Sequence, residues 1–233
     1  MKSQHQKRAT VFNTQMNPDI KFQVMESYKV ARTNLAFSLI KRGCKKIVIT
    51  SSLAKEGKST SAVNIAISLS LQVNVKVLLI DSDLRKPKIN NFFNLENTPG
   101  LTNYLGSMCE LKDIIQPTET PNLFVICSGI SVPNPSELLA SESMEDLLKA
   151  LEQDYDYIIL DTSPINIVID ALALAKITDG AVIVVQEGFS THPELAKTIE
   201  KLERVDAKIL GIILNGTKLE TKDNYKYQYE RYA

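Results

Sequence analysis

Lys46-Ile47-Val48-Ile49-Thr50-Ser51-Ser52-Leu53-Ala54-Lys55-Glu56-Gly57-Lys58-Ser59-Thr60 is the stretch on which the fold turns. It reads as strand, loop, helix. Residues 46–50 form a short run in which 47–50 are all β-branched, the loop closes on Gly57-Lys58-Ser59, and residues 61–71 continue as a helical pattern. A helix N-terminus offers unpaired backbone N–H groups and the positive end of the peptide dipoles, so a loop of this kind cradles a phosphate chain. On that reading Ala54, Lys55, Glu56, Gly57, Lys58, Ser59 and Thr60 line the phosphates of ATP. Lys58 reaches the β and γ positions, Ser59 supplies a hydroxyl ligand for Mg2+, and Thr60 donates to the α-phosphate. Ser52 stands where the usual motif has its first glycine, which leaves Gly57 as the loop's one glycine.

Working outward, further β-branched runs occur at residues 76–80, 123–127, 157–160, 181–185 and 209–214, with helical patterns between most of them. The runs are almost continuously apolar rather than alternating, as strands covered on both faces are. The expected fold is α/β, a three-layer sandwich with a mainly parallel sheet, of the P-loop NTPase type. A helix over residues 17–42 is expected to begin at Asn17 and Pro18, a cap followed by a proline at the first helical position. Its stripe Val24, Tyr28, Ala31, Leu35 and Leu39 should pack on the sheet layer, while Glu26, Lys29 and Arg32 form a second row. The organisation expected is an arm over 1–16, a domain over 17–220 and a tail over 221–233.

Two of the strands run into acids: Asp81 and Asp83 after one, Asp161 after another. In an open parallel sheet ligands bind at the strands' carboxyl ends, so the three acids are expected to converge on the phosphate loop. Together with Ser59 they would organise Mg2+, and Asp81 is the candidate base. The simpler alternative is that acids at strand ends cap the turn that follows.

The 233 residues carry 27 Lys+Arg against 27 Asp+Glu, so no global field attracts nucleic acid or an anionic surface. No apolar run is long enough to insert directly into a membrane. Cys44, Cys109 and Cys127 are odd in number and lack the CxxC spacing of a zinc site, which suits a reducing cytoplasm. His5 and His192 are isolated and take no catalytic role. The last nine residues hold Tyr225, Tyr227, Tyr229 and Tyr232, half of the chain's 8 tyrosines, in a polar stretch without a core pattern.

Taken together these motifs resemble the cytoplasmic bacterial tyrosine kinases of capsule and exopolysaccharide synthesis. The resemblance spans Glu26-Ser27-Tyr28-Lys29-Val30-Ala31-Arg32-Thr33-Asn34, the phosphate loop, Asp81-Ser82-Asp83-Leu84-Arg85-Lys86-Pro87, Pro133-Asn134-Pro135-Ser136-Glu137-Leu138-Leu139, Asp161-Thr162-Ser163-Pro164 with Asp170-Ala171, and the terminal tyrosines. It implies Lys58, Asp81, Asp83 and Asp161 as catalytic residues, Asn215 at the adenine, and the four tail tyrosines as phosphoacceptors in trans. It implies an octamer-like ring with Glu26, Lys29 and Arg32 at the subunit contact, a transmembrane activator holding the kinase at the inner face of the plasma membrane, and a cognate tyrosine phosphatase. Lys29 stands where the family generally has arginine, and Ala54-Lys55 replaces a common Pro-Gly. A ParA/MinD-like ATPase switch is the rival reading; that class carries an extra lysine at the position of Leu53.

Overall fold

The computed structural model describes residues 17–217. The arm over 1–16, the last residues of the 17–220 domain, and the tyrosines of the tail lie outside the described residues. In chain order the elements are α1 (Pro18–Ser38), β1 (Lys45–Ser51), α2 (Lys58–Ser70), β2 (Val77–Asp81), α3 (Ile89–Phe93), α4 (Leu101–Leu105), α5 (Leu111–Ile114), β3 (Ile115–Pro117), β4 (Leu123–Ile126), α6 (Pro135–Leu139), α7 (Glu142–Leu151), β5 (Tyr157–Asp161), α8 (Asp170–Lys176), β6 (Gly180–Gln186), α9 (His192–Glu203) and β7 (Ile209–Asn215). The six strands read from the sequence are all present. The seventh, β3, is a three-residue edge too short for periodicity to reveal.

The strands lie side by side in the order β3-β4-β2-β5-β1-β6-β7, all parallel except β3, which runs antiparallel to β4. From β1 the chain crosses through α2 to β2 on one side; from β5 it crosses through α8 to β6 on the other. Right-handed crossovers in opposite directions put their helices on opposite faces, and the reversal opens a crevice at the carboxyl ends of β1 and β5.

Strand alternation divides the core in two. Val48, Leu78, Ile80, Ile158, Leu160 and Ile183 join the layer formed with Met144, Leu147, Leu174 and Leu202. Ile47, Ile49, Val77, Leu79, Ile159 and Val184 join the layer formed with Ala62, Ile65, Leu69 and Leu35. Both faces are covered, which accounts for the unbroken apolar runs and completes the three layers.

One boundary needs correcting: α1 ends at Ser38, not 42. Its start is as read, with the Asn17 side chain accepting the Asp19 N–H at 2.9 Å. At its other end Leu39 leaves helical geometry (φ −129°, ψ 74°) and buries its side chain, and Gly43 turns with φ +76° towards β1. Burying Leu39 outweighs another helical turn for the exposed Ile40. Rather than lying flat on the sheet, α1 rests on α2 and along β7. Tyr28 Oη lies 3.3 Å from Ser61 Oγ, and Arg32 donates to the Ser68 carbonyl at 2.8 Å. The expected outer row is thereby split: Lys29 pairs with Glu26 at 2.5 Å, while Arg32 turns inward to α2.

Candidate active site

The phosphate loop joins β1 to α2 at that crevice. Gly57 caps α2 with φ +89°, a conformation costly to any residue with a Cβ, and a methyl group there would overlap the Asn215 side chain. Asn215, at the end of β7, donates through Nδ2 to the Glu56 carbonyl at 3.1 Å. Its amide therefore lies against the loop backbone. Buried Glu56 closes the loop from within, accepting the Leu53 N–H at 2.6 Å and a hydrogen bond from Ser190. Ser52 is explained by its partner, for its Oγ meets Thr198 Oγ1 of α9 at 2.8 Å, a bond no glycine makes. Lys55 takes φ +71°, the left-handed region in which a glycine would be at ease.

In parallel register, Asp81 of β2 sits directly beside Asp161 of β5. Both are buried, and neither Asp161 oxygen nor Oδ1 of Asp81 has a hydrogen-bond partner. Burial, reinforced by the Asp161 charge, pushes the Asp81 carboxyl up to about 7. Burial likewise raises Asp161 to about 6, with Lys58 opposing. Lys58 Nζ lies 2.6 Å from Asp83 Oδ2 and 3.6 Å from Asp161 Oδ1. Burial alone would favour its neutral form, but Asp161 and Asp83 outweigh that and hold its pKa above the ordinary lysine value.

The three acids meet as expected but are not equivalent. Oδ2 of Asp81 is taken by the Lys88 and Ile89 N–H groups, both at 2.9 Å, so this acid does cap the turn into α3, and only Oδ1 remains open. Asp83 is turned to Lys58. Among the described residues no three carboxylate, cysteine or histidine side chains form a cage that would hold a metal by themselves. The donor set still fits Mg2+, which keeps several waters and takes one or two carboxylates beside substrate phosphates. The buried oxygens of Asp81 and Asp161 that lack hydrogen-bond partners are the groups such an ion satisfies.

Behind the acids lies a network that sequence reasoning did not assemble. Ser163 Oγ stands 2.9 Å from Asp83 Oδ1 and 3.3 Å from Asp170 Oδ2. Asp170, 0% exposed, receives Arg85 in a two-pronged pair (Nε to Oδ2 at 2.8 Å, a terminal nitrogen to Oδ1 at 3.2 Å) and Ser136 Oγ at 2.5 Å. Burial alone would raise its carboxyl, but Arg85 and Ser136 hold it below the usual carboxylate range. The only signal in the sequence was the presence of these residues in three separate motifs; nothing in their spacing joins them.

A glycine-capped helix N-terminus, a lysine directed at strand-end acids and a doubly wound sheet define a P-loop nucleotide-binding domain. The AAA domain family (AAA_31) matches residues 44–212. The tyrosine-protein kinase YwqD of Bacillus subtilis (strain 168) is 42% identical over 87% of this chain and 85% of its own. The crystal structure of the chimerical protein CapA2B2 superposes with a TM-score of 0.81 at 35% identity, covering 90% of this chain and 89% of that one. The kinase domain of the Escherichia coli tyrosine kinase ETK gives 0.79 at 33% identity, over 84% of this chain and 78% of that one. This chain belongs to the family of bacterial tyrosine-protein kinases.

Proposed function

We propose that the chain transfers the γ-phosphoryl group of Mg-ATP to tyrosine hydroxyls, and that Tyr225, Tyr227, Tyr229 and Tyr232 of a neighbouring copy are its first acceptors. The observation that carries this reading is the buried pair Asp81 and Asp161 beside Lys58 at the mouth of the phosphate loop. A tyrosine hydroxyl has a pKa of about 10 and must lose its proton as it attacks. A carboxylate near the operating pH, with one oxygen open, is suited to accept it, and Asp81 has both properties. Lys58 exchanges Asp83 for the β and γ phosphates and offsets charge on the transferring group. Ser59, Asp83 and Asp161 would hold Mg2+, which would supply further neutralisation of phosphate charge. Thr60 and the loop amides from Ala54 onward hold the remaining phosphate oxygens, and Asn215 keeps the loop's backbone in place beside the adenine.

The surroundings of the reaction are proposed on the family's pattern: a homo-oligomeric ring contacted through Glu26 and Lys29 on α1, with Arg32 bracing that helix on α2, a transmembrane activator that holds the kinase at the membrane's inner face, and an opposing tyrosine phosphatase in capsule or exopolysaccharide export. No helix of the described residues is long and apolar enough to cross a membrane, so the attachment is assigned to the activator. Each phosphate adds a charge of about −1.5 to −2. A tail in which Lys222, Lys226 and Arg231 barely outnumber Asp223 and Glu230 thus becomes strongly negative and leaves a site already lined by acids.

The test is to incubate the pure chain with Mg-ATP, with and without cytosolic segments of candidate membrane partners, and to map phosphate by mass spectrometry. Phosphate on the tail tyrosines, abolished by Lys58→Met, is expected. ATP hydrolysis that rises with self-association while every tyrosine stays unmodified would instead establish the ATPase-switch reading.

A further inference from the structure

Arg85, Ser136, Ser163 and Asp170 come from four different segments, after β2, in α6, after β5 and in α8, yet close into one hydrogen-bonded network ending on Asp83. We infer that Asp170 and Arg85 are positioning residues that direct the Ser163 proton to Asp83 and so hold that carboxylate in place once the nucleotide has drawn Lys58 away. The inference rests on the proposed role of Asp83 at the Mg-ATP site.

Asp83 has three partners. Oδ2 takes Lys58 at 2.6 Å; Oδ1 takes Ser163 Oγ at 2.9 Å and the Lys86 N–H at 3.1 Å. When the phosphates claim Lys58, only the two bonds to Oδ1 remain to fix the side chain. Ser163 is not a free donor, because a hydroxyl has a single proton and this one stands between two carboxylates. Asp170 Oδ2, at 3.3 Å, competes for it. Asp170 is out of the contest because Arg85 satisfies it through two bonds and Ser136 through a third. Remove Arg85, and a fully buried carboxylate is left short of donors; it then takes the Ser163 proton, turning a hydroxyl lone pair towards Asp83. Asp170 thus has opposite effects according to its partner: with Arg85 it is silent, and without Arg85 it disables Asp83.

The experiment uses the full chain as wild type, Ser163→Ala, Arg85→Ala, Asp170→Asn, Arg85→Ala with Asp170→Asn, and Asp83→Asn. Three quantities are measured well below each variant's melting temperature: the Mg2+ concentration that half-saturates tight binding of a fluorescent ATP analogue, kcat, and the KM for ATP. Ser163→Ala and Arg85→Ala should each raise the half-saturating Mg2+ and lower kcat by roughly tenfold, as loss of a hydrogen bond to a charged group implies, with KM for ATP changed less than about threefold. Adding Asp170→Asn to Arg85→Ala should restore most of both losses, because the rival carboxylate is gone. A double variant no better than Arg85→Ala, or a Ser163→Ala protein that behaves as wild type, overturns the inference. So does a pattern in which melting temperatures move but the Mg2+ dependence does not, the mark of a purely structural network. Asp83→Asn separates the two levels: if it leaves Mg2+ dependence and rate intact, the role given to Asp83 fails and the inference with it; if it disables the site while Ser163→Ala does not, the inference alone fails. Should Arg85→Ala not fold, Ser163→Ala decides by itself.

Discussion

Replacing Asp81 by asparagine should stabilise the nucleotide-free protein at alkaline pH while abolishing transfer. The Asp81 carboxyl is raised from 3.8 to about 7 by burial and by Asp161 beside it. A group whose folded pKa lies above its unfolded value binds more protons folded than unfolded between the two values. The folded state therefore loses stability as pH rises from about 4 to about 7, and the deficit is complete above that. At about 1.4 kcal/mol per unit, the roughly three units set a ceiling near 4 kcal/mol. Asparagine keeps an oxygen for the Lys88 and Ile89 N–H groups and removes the charge, so at pH 8 it should recover about 2–4 kcal/mol. For a domain of this size that is roughly 5–10 °C in Tm. The assay is thermal melting of wild type and Asp81→Asn in the absence of nucleotide and divalent ions, from pH 4 to pH 8. Plotting the difference between the two proteins cancels carboxylates elsewhere in the chain. The difference should be near zero at pH 4 and grow with pH. A difference that is flat, or a variant less stable than wild type at pH 8, refutes the argument that this acid is held against its preferred ionisation.

Lys58→Met has the opposite sign: it leaves buried carboxylate charge uncompensated, so stability should fall by about 2–4 kcal/mol at pH 8 and by less at pH 5, where protonation of Asp161 relieves part of the cost. Gly57→Ala should weaken nucleotide binding by about 2 kcal/mol, near thirtyfold in Kd, from left-handed strain plus collision with Asn215. Titrating ATP into Gly57→Ala, Asn215→Ala and the double variant should show losses less than additive, since the small residue at 215 removes the collision. Lys55→Gly should raise Tm by about 1–4 °C, because relief at φ +71° exceeds glycine's extra unfolded-state entropy; melting curves with equal protein concentration test this. Phenylalanine at Tyr225, Tyr227, Tyr229 and Tyr232 together should abolish phosphate-dependent dissociation of oligomers, measured by light scattering before and after Mg-ATP; dissociation that persists rules out the tail as the switch.

What the sequence conveyed best was anything written in period or punctuation. Unbroken β-branched runs gave six strands, since a strand covered on both faces has no polar side to interrupt it. Asn17-Pro18 marked the start of α1, because a cap and a proline act locally. The end of α1 was not legible: it depends on Leu39 finding a buried seat beneath a sheet assembled from distant strands. The same holds for the acids. Their placement at strand ends was visible, but their register, with Asp81 abreast of Asp161, follows from which strands become neighbours. Asp81 was read as a base against the alternative of a capping acid; its Oδ2 does cap the turn into α3, while Oδ1 has no hydrogen-bond partner. Ser52 looked like a defect until Thr198, 146 positions away, appeared as its partner.

The attachment of α1 to α2 has a mechanical meaning. Tyr28 grips α2 at Ser61, one turn from Lys58, and Arg32 grips it at Ser68, near its far end. The 13 residues between Lys58 and Ser70 form a rod about 20 Å long. Two clamps on one rod transmit tilt as well as translation. A displacement of α1 against the core would therefore carry α2 with it, and Lys58 sits at the near end of that rod.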